Sequence, residues 1–283
     1  MKLFFVIILL VVVVSLAGLF VWRQLDHRSD RTEMNRLLAL QPAHPARFSL
    51  AMVADLPEPA RRYFAFAIAE GTPLYTVAQI EMEGQFSLGT NEAPNYMDMI
   101  ATQVLAAPNG FVWKMSGGLG LAAMSGSDSG RWTRFWFAGL APVARFGGDP
   151  DHARSAFGRY VAEAAFWTPA AILPGPNVTW EGVDQDTARY TMTHEGIVQT
   201  VDVTVDAEGR PFRIEFPRWS NANPEGMHQI QPFGGFLSGF REVVGFRVPF
   251  HVEAGNWFGT QDYFPFFIAD VTEVRFPNSA ADE

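Results

Sequence analysis

Arg159, Glu163 and Trp167 recur every four residues and are followed by Pro169. On a helix that spacing puts a guanidinium, a carboxylate and an indole in one row. A carboxylate held by an arginine can act as an acid or base, or can fix a polar group of a ligand. The ordinary reading of such a row is a surface ion pair beside a core tryptophan. Two features count against it. The Arg-before-Glu order is the weaker one on an isolated helix. Glu163 also falls in the last turn, where the helix dipole disfavours negative charge. A partner outside the helix is therefore expected to hold Glu163, and Asp128 and His194 are the candidates for a second titratable group near it.

The helix that carries the row can be bounded from its own residues. Asp149 suits the N-cap and Pro150 the first helical position. Ala153, Phe157, Tyr160, Val161 and Ala164 form the apolar stripe. Thr168 precedes a proline and so leaves the α region, which ends the helix near Trp167. Thr168 and Pro169 then open a second short helix. An earlier helix carries Ala60, Tyr63, Phe64, Ala67 and Ile68 on one face and stops at Gly71. Phe66 lies off that face.

Between and after these helices the period is that of strands. Extended segments are predicted at 74–88, 96–107, 111–116, 119–127 and 131–137, then at 178–183, 188–194, 197–206 and 211–216, and finally at 239–244, 247–254 and 266–276. Pro108-Asn109-Gly110 and other short turns join neighbours antiparallel. So long a meander must curl. The expected fold is α+β and β-rich: an antiparallel meander closed into a barrel or half-barrel, with a few helices packed against its concave side.

Residues 3–22 carry no charge and match the thickness of a bilayer, with Trp22 and Arg23 at its edge. They read as a transmembrane signal anchor. A signal peptide cleaved after Ala17 is the rival, but the apolar run continues past that point. Arg23, Arg28, Arg31 and Arg36 favour a cytoplasmic domain by the positive-inside rule. The two-residue tail before the run favours export, and the domain is assigned to the extracytoplasmic side of a bacterial inner membrane. Residues 23–45 read as a solvated stalk leading into a short helix, 46–278 as a single domain, and 279–283 as a disordered tail.

Composition limits the function. The chain has 283 residues, 48% of them hydrophobic, and a formal net charge of -9. It can bury a core, and it lacks the basic face that nucleic-acid binding needs. With no cysteine there is no disulfide or thiolate chemistry. The histidines at 27, 44, 152, 194, 228 and 251 show no ligand spacing, so no metal site and no cofactor are expected. The glycines from Gly118 to Ala123 lead into turn sequence rather than a helix, unlike a dinucleotide loop. Asp128 stands where a hydrolase elbow needs serine in Gly126–Gly130. The 25 Phe, 8 Trp and 6 Tyr are the remaining signal, and they fit either a filled core or a lined apolar cavity.

Leu56-Pro57-Glu58-Pro59 with Arg62-Tyr63, Gly110-Phe111-Val112-Trp113, the Arg159/Glu163/Trp167/Pro169 motif and Val178-x-Trp180 form a set. In these residues the chain resembles a bacterial membrane-anchored family of unknown function. It departs from that family's pattern in the loop 221–231. The resemblance implies one domain and weight on the central motif, and no reaction. The expected curl is similar to that of envelope lipoprotein carriers.

Three functions remain open. The first is a tethered domain that binds or carries an apolar small molecule or lipid, with Trp113, Arg159, Glu163 and Trp167 at the site. The second is an enzyme using Glu163 with Arg159 as acid or base. The third is an envelope scaffold. Since no other stretch of the sequence approaches an uncharged bilayer span, deleting residues 1–22 is expected to give a soluble protein. Pelleting of that protein with membranes in high salt would reveal a second membrane contact.

Overall fold

The structure, a computed structural model, describes residues 1–277; the tail expected at 279–283 lies outside them. Three α-helices are described: α1 (Lys2–Leu38), α2 (Glu58–Ala67) and α3 (Pro150–Trp167). The first six strands are β1 (Ala78–Ser87), β2 (Tyr96–Leu105), β3 (Phe111–Gly117), β4 (Met124–Ser129), β5 (Thr133–Phe137) and β6 (Ala141–Phe146). After α3 come β7 (Val178–Gly182), β8 (Thr187–His194), β9 (Ile197–Val205), β10 (Pro211–Ser220) and β11 (Gln229–Ser238). The chain ends with β12 (Arg241–Val243), β13 (Phe246–Val248), β14 (His251–Asn256) and β15 (Phe264–Arg275).

Thirteen strands form one curled antiparallel half-barrel, in the order β6-β5-β4-β3-β2-β1-β15-β14-β11-β10-β9-β8-β7. Two meanders, β1 to β6 and β7 to β11, are thus fused through β14 and β15. The fusion is a full-length pairing of β1 with β15, from Gln79 opposite Arg275 to Phe86 opposite Phe267. The chain leaves the sheet at one edge, β6, and re-enters at the other, β7. Helix α3 makes that crossing over the concave face. Its bounds are those its sequence predicts: the Asp149 side chain accepts from His152 N at 2.8 Å, and the helix gives way to a 3-10 turn at Pro169. Gly158 lets it lie close, because a Cβ there would stand 2.8 Å from Gln199 Oε1.

The core fills the space between α3, α2 and the sheet. Tyr63 from α2 donates to the carbonyl of Ala165 at 2.6 Å, and Tyr190 from β8 donates to that of Val161 at 2.6 Å. The first of these carbonyls belongs to the last turn of α3, where no intrahelical N–H is left to pair with it. Phe66, off the α2 core face, packs edge-on against Phe240.

Three expectations are corrected. First, residues 23–38 are not a solvated stalk. They continue α1 without a break, and Asp26, Asp30, Glu33 and Leu37 are buried on the convex face, behind β2 to β6. Asp26 accepts from Arg145 at 2.6 and 2.8 Å, from Arg134 at 3.1 Å and from the Trp136 indole at 2.9 Å. Asp30 accepts from Arg134 and Ser127. Leu37 seals a small second core with Val77, Val104 and Val112. Asp26 and Asp30 look hydrophilic in the sequence because their arginines, Arg134 and Arg145, lie more than a hundred residues away. Helices therefore cover both faces of the sheet, not the concave one alone.

Second, β11 begins at the end of the 221–231 loop and otherwise lies outside every predicted extended segment. Pro232, Gly234 and Gly235 disguise it, and the glycines are there for close approach: a Cβ on Gly235 would stand 1.8 Å from the Glu253 carbonyl oxygen. Third, β4 begins at Met124, not 119, and β6 is an additional edge strand whose Pro142 an edge tolerates. Residues 239–254 also fall into a separate small hairpin, β12 with β13, followed by β14.

Burial pushes the Asp26 carboxyl up, but the bonds from Arg145 and Trp136 and the Arg134 charge outweigh it and hold it below the ordinary range. Hydrogen bonding from Arg36 depresses Glu33 likewise. A carboxylate depressed in the fold lends stability above its unfolded pKa and loses it as pH falls below. Asp26→Ala, which strands Arg145 and leaves Arg134 with Asp30 alone, should cost about 3–5 kcal/mol at neutral pH. The difference from the native chain, read by thermal melting, should shrink as pH is taken below about 4.

Candidate functional site

Alternation on the strands decides which side chains reach the concave face. Gln103 on β2, Trp113 on β3, Asp128 on β4 and Arg218 on β10 all point inward, under α3. Arg159 sits at their centre. Its Nε donates to Glu163 Oε1 at 2.7 Å, one Nη to Asp128 Oδ2 at 2.8 Å and the other to Gln103 Oε1 at 3.3 Å. Gln103, fully buried, returns its amide N–H to Glu163 Oε2 at 2.5 Å. The Thr133 hydroxyl donates to Asp128 Oδ1 at 2.5 Å, and Ser129 N donates to the same oxygen at 3.1 Å. Burial opposes the charge on Arg159, and the carboxylates of Glu163 and Asp128 outweigh it, so its pKa is raised. The partner expected to hold Glu163 from outside the helix is thus Gln103 on β2, while Asp128 on β4 holds Arg159.

This cluster borders a cavity of about 210 Å³ between the two halves of the sheet. Aromatic rings make up much of its wall, with Phe86, Phe216, Phe233, Phe266 and Phe267 among them. Trp113, Arg159, Glu163 and Trp167 all line it. Trp167 does not stack on Arg159 as its position in the row implies. It packs at 4.7 Å against Phe166, and the guanidinium lies instead over Phe111 at 4.6 Å and Trp113 at 5.3 Å. Of the two candidate titratable partners, Asp128 is in the cluster, whereas His194 sits 3.9 Å from Glu195 at the end of β8.

The arrangement holds shape better than it moves protons. Each of the four oxygens of Glu163 and Asp128 already accepts a hydrogen bond. Gln103, Thr133 and Arg218 are site residues that the sequence reading passed over. For Gln103 and Arg218 the signal is a polar residue at an inward position of an alternating strand: Ala101-x-Gln103-x-Leu105, and Ile214-x-Phe216-x-Arg218.

A model of the family described as "Family of unknown function (DUF6544)" matches residues 46–268, and the chain belongs to that family. No curated protein matches the sequence. Among solved structures, the chain is similar to a LolA superfamily protein from Nitrosomonas europaea, at 10% identity over 77% of this chain and 91% of that one, TM-score 0.40. It is similar to a putative outer membrane lipoprotein-sorting protein domain from Vibrio parahaemolyticus, at 10% identity over 80% and 91%, TM-score 0.37. It is also similar to a DUF1329 family protein from Desulfovibrio piger, at 9% identity over 71% and 86%, TM-score 0.39.

Arg159→Ala strands two carboxylates and should destabilise the protein by about 3–5 kcal/mol. Glu163→Gln keeps shape and one acceptor and should cost less. Thermal unfolding of both variants and the double variant is the check, and strong non-additivity is expected for groups in one network. Additive, near-zero effects would reduce the cluster to a solvated pair.

Proposed function

We propose that this member of the DUF6544 family is a membrane-tethered binding domain that holds an apolar ligand, such as a lipid chain, in the cavity under α3. The observation that carries the reading is the cavity itself. It is a partly open, mainly apolar pocket, and apolar wall left against water is unfavourable until a guest covers it. Its volume exceeds the roughly 150 Å³ that suffices for a benzene-sized guest. The saturation of Glu163 and Asp128 supports binding over acid–base catalysis.

Tethering is supported by α1. None of residues 3–22 is buried, and the uncharged run has a hydropathy fit for a bilayer. Where the run ends, Arg23 donates to the Gly139 carbonyl at 2.9 Å and to Ser125 Oγ at 3.0 Å, and Trp22 meets Trp136 edge-on at 5.6 Å. The β5–β6 turn thus stands at the level of the membrane edge. Leu119, Leu121 and Leu140 are exposed on this turn and the β3–β4 connection beside it. We assign the domain to the extracytoplasmic side, since long domains translocate largely regardless of the charges that flank the apolar run.

The test uses the full chain in lipid nanodiscs with a diazirine-bearing decanol, a neutral apolar probe. Photolabelling is expected on peptides from β10, β11 and β15. Ala162→Phe, which pushes a ring from α3 into the cavity, should cut that labelling at least about tenfold, at a packing cost of about 1–3 kcal/mol. Labels confined to residues 3–22 would overturn the reading.

A further inference from the structure

The two cavity arginines differ in kind. Arg159 has its charge matched by two carboxylates. Arg218 makes no ion pair and no side-chain hydrogen bond with any described residue; its Nε is buried without a partner, and its guanidinium carbon lies 4.6 Å from the centre of the Phe233 ring. We infer that the ligand of this cavity is an amphiphile with an anionic head, a carboxylate or a phosphate, and that Arg218 is the residue that pairs with it. The inference rests on the binding function proposed above and adds the chemical class of the ligand.

Arg218 is half-buried with its Nε out of water, and a cation held that way without a counter-ion is costly, so proteins usually pair it. The acids near Arg218 do not supply that pairing. Asp128 and Glu163 have no oxygen within 4.0 Å of it, and their oxygens are engaged by Arg159, Gln103, Thr133 and Ser129. Glu253, also on the cavity wall, lies 3.4 Å from His251. Burial and the neighbouring Arg159 push the Arg218 pKa down to about 10, against the pull of Asp128 and Glu163, so the group remains a cation at neutral pH.

The other unsatisfied groups on the cavity wall have the same polarity. The indole nitrogens of Trp113 and Trp167, both cavity residues, are buried without partners. An indole N–H and a guanidinium only donate. The wall therefore lacks acceptors in its occupant, and it lacks a negative charge at Arg218. A planar guanidinium matches the oxygens of a carboxylate or phosphate two at a time. A fatty alcohol supplies one neutral acceptor, and an alkylammonium supplies none.

The experiment is calorimetric titration of the full chain in nanodiscs of a zwitterionic lipid, with empty nanodiscs as blank. The probes share one chain: decanoate, decyl phosphate, decanol and decylamine. At least one of the two anionic probes should bind at least about tenfold tighter than decanol, the size of a single charge-assisted hydrogen bond, and decylamine should bind weakest. The carboxylate and phosphate arms identify which head the site takes. Arg218→Met, close in volume and uncharged, should bring the preferred anion down to the affinity of decanol.

Equal binding of decanol and both anions by the native chain would overturn the anionic head while leaving the apolar cavity reading intact. An anion preference that survives Arg218→Met would overturn the role of Arg218. No binding of any probe would sink both readings. The comparison of heads on the native chain stands even where the variant fails to fold.

Discussion

A chain that leaves a thirteen-stranded sheet at one edge and re-enters at the opposite edge needs a connection that spans the gap. Here that connection is α3, whose 18 residues give about 27 Å of helix. Everything on the concave side follows from this crossing. The helix has to touch both halves of the sheet, and Gly158 stands at a point of close approach, while the small Ala162 leaves room over the cavity. The sheet curls more than a straight helix can follow. The space left between them is walled by phenylalanines that do not close it.

The charged cluster is best understood as the fastening of that helix. Arg159 reaches Asp128 on β4 and Gln103 on β2, while the apolar face of α3 packs against β9 and β10. One half of the half-barrel is thus gripped by polar contacts and the other by packing. Buried ionic networks contribute less to stability than to fixing one arrangement, since a shifted register would leave each member unpaired. A Glu163 disfavoured by the helix dipole is kept in place because Gln103 and Arg159 hold both of its oxygens.

Local chemistry in the sequence foretold local structure. Asp149, Pro150, Thr168 and Pro169 bound α3 correctly, and alternation found most strands. The meander and its curl followed from short turns. What the sequence concealed was pairing at a distance. Asp26 and Asp30 look like solvated acids until Arg134 and Arg145 come back to meet them. Strand β11 reads as a loop because its proline and glycines serve neighbouring strands instead of their own propensity. Arg218 lies two residues beyond the point where the apolar alternation of β10 stops, so a pattern search based on hydrophobicity ends just before it. The row Arg159, Glu163 and Trp167 was visible, but its third member faces Phe166, and the strand residue Trp113 takes the place beside the guanidinium.

Helix α1 has no hinge. It runs unbroken from Lys2 to Leu38, and its second half is clamped to the back of the sheet. In the tethered state proposed above, the domain would have neither the reach nor the rotational freedom of a body on a flexible leash, and would not ferry cargo across a compartment. A donor or acceptor of the proposed ligand would then have to arrive by diffusion in the plane of the membrane, in a two-dimensional search, or be the surrounding leaflet itself.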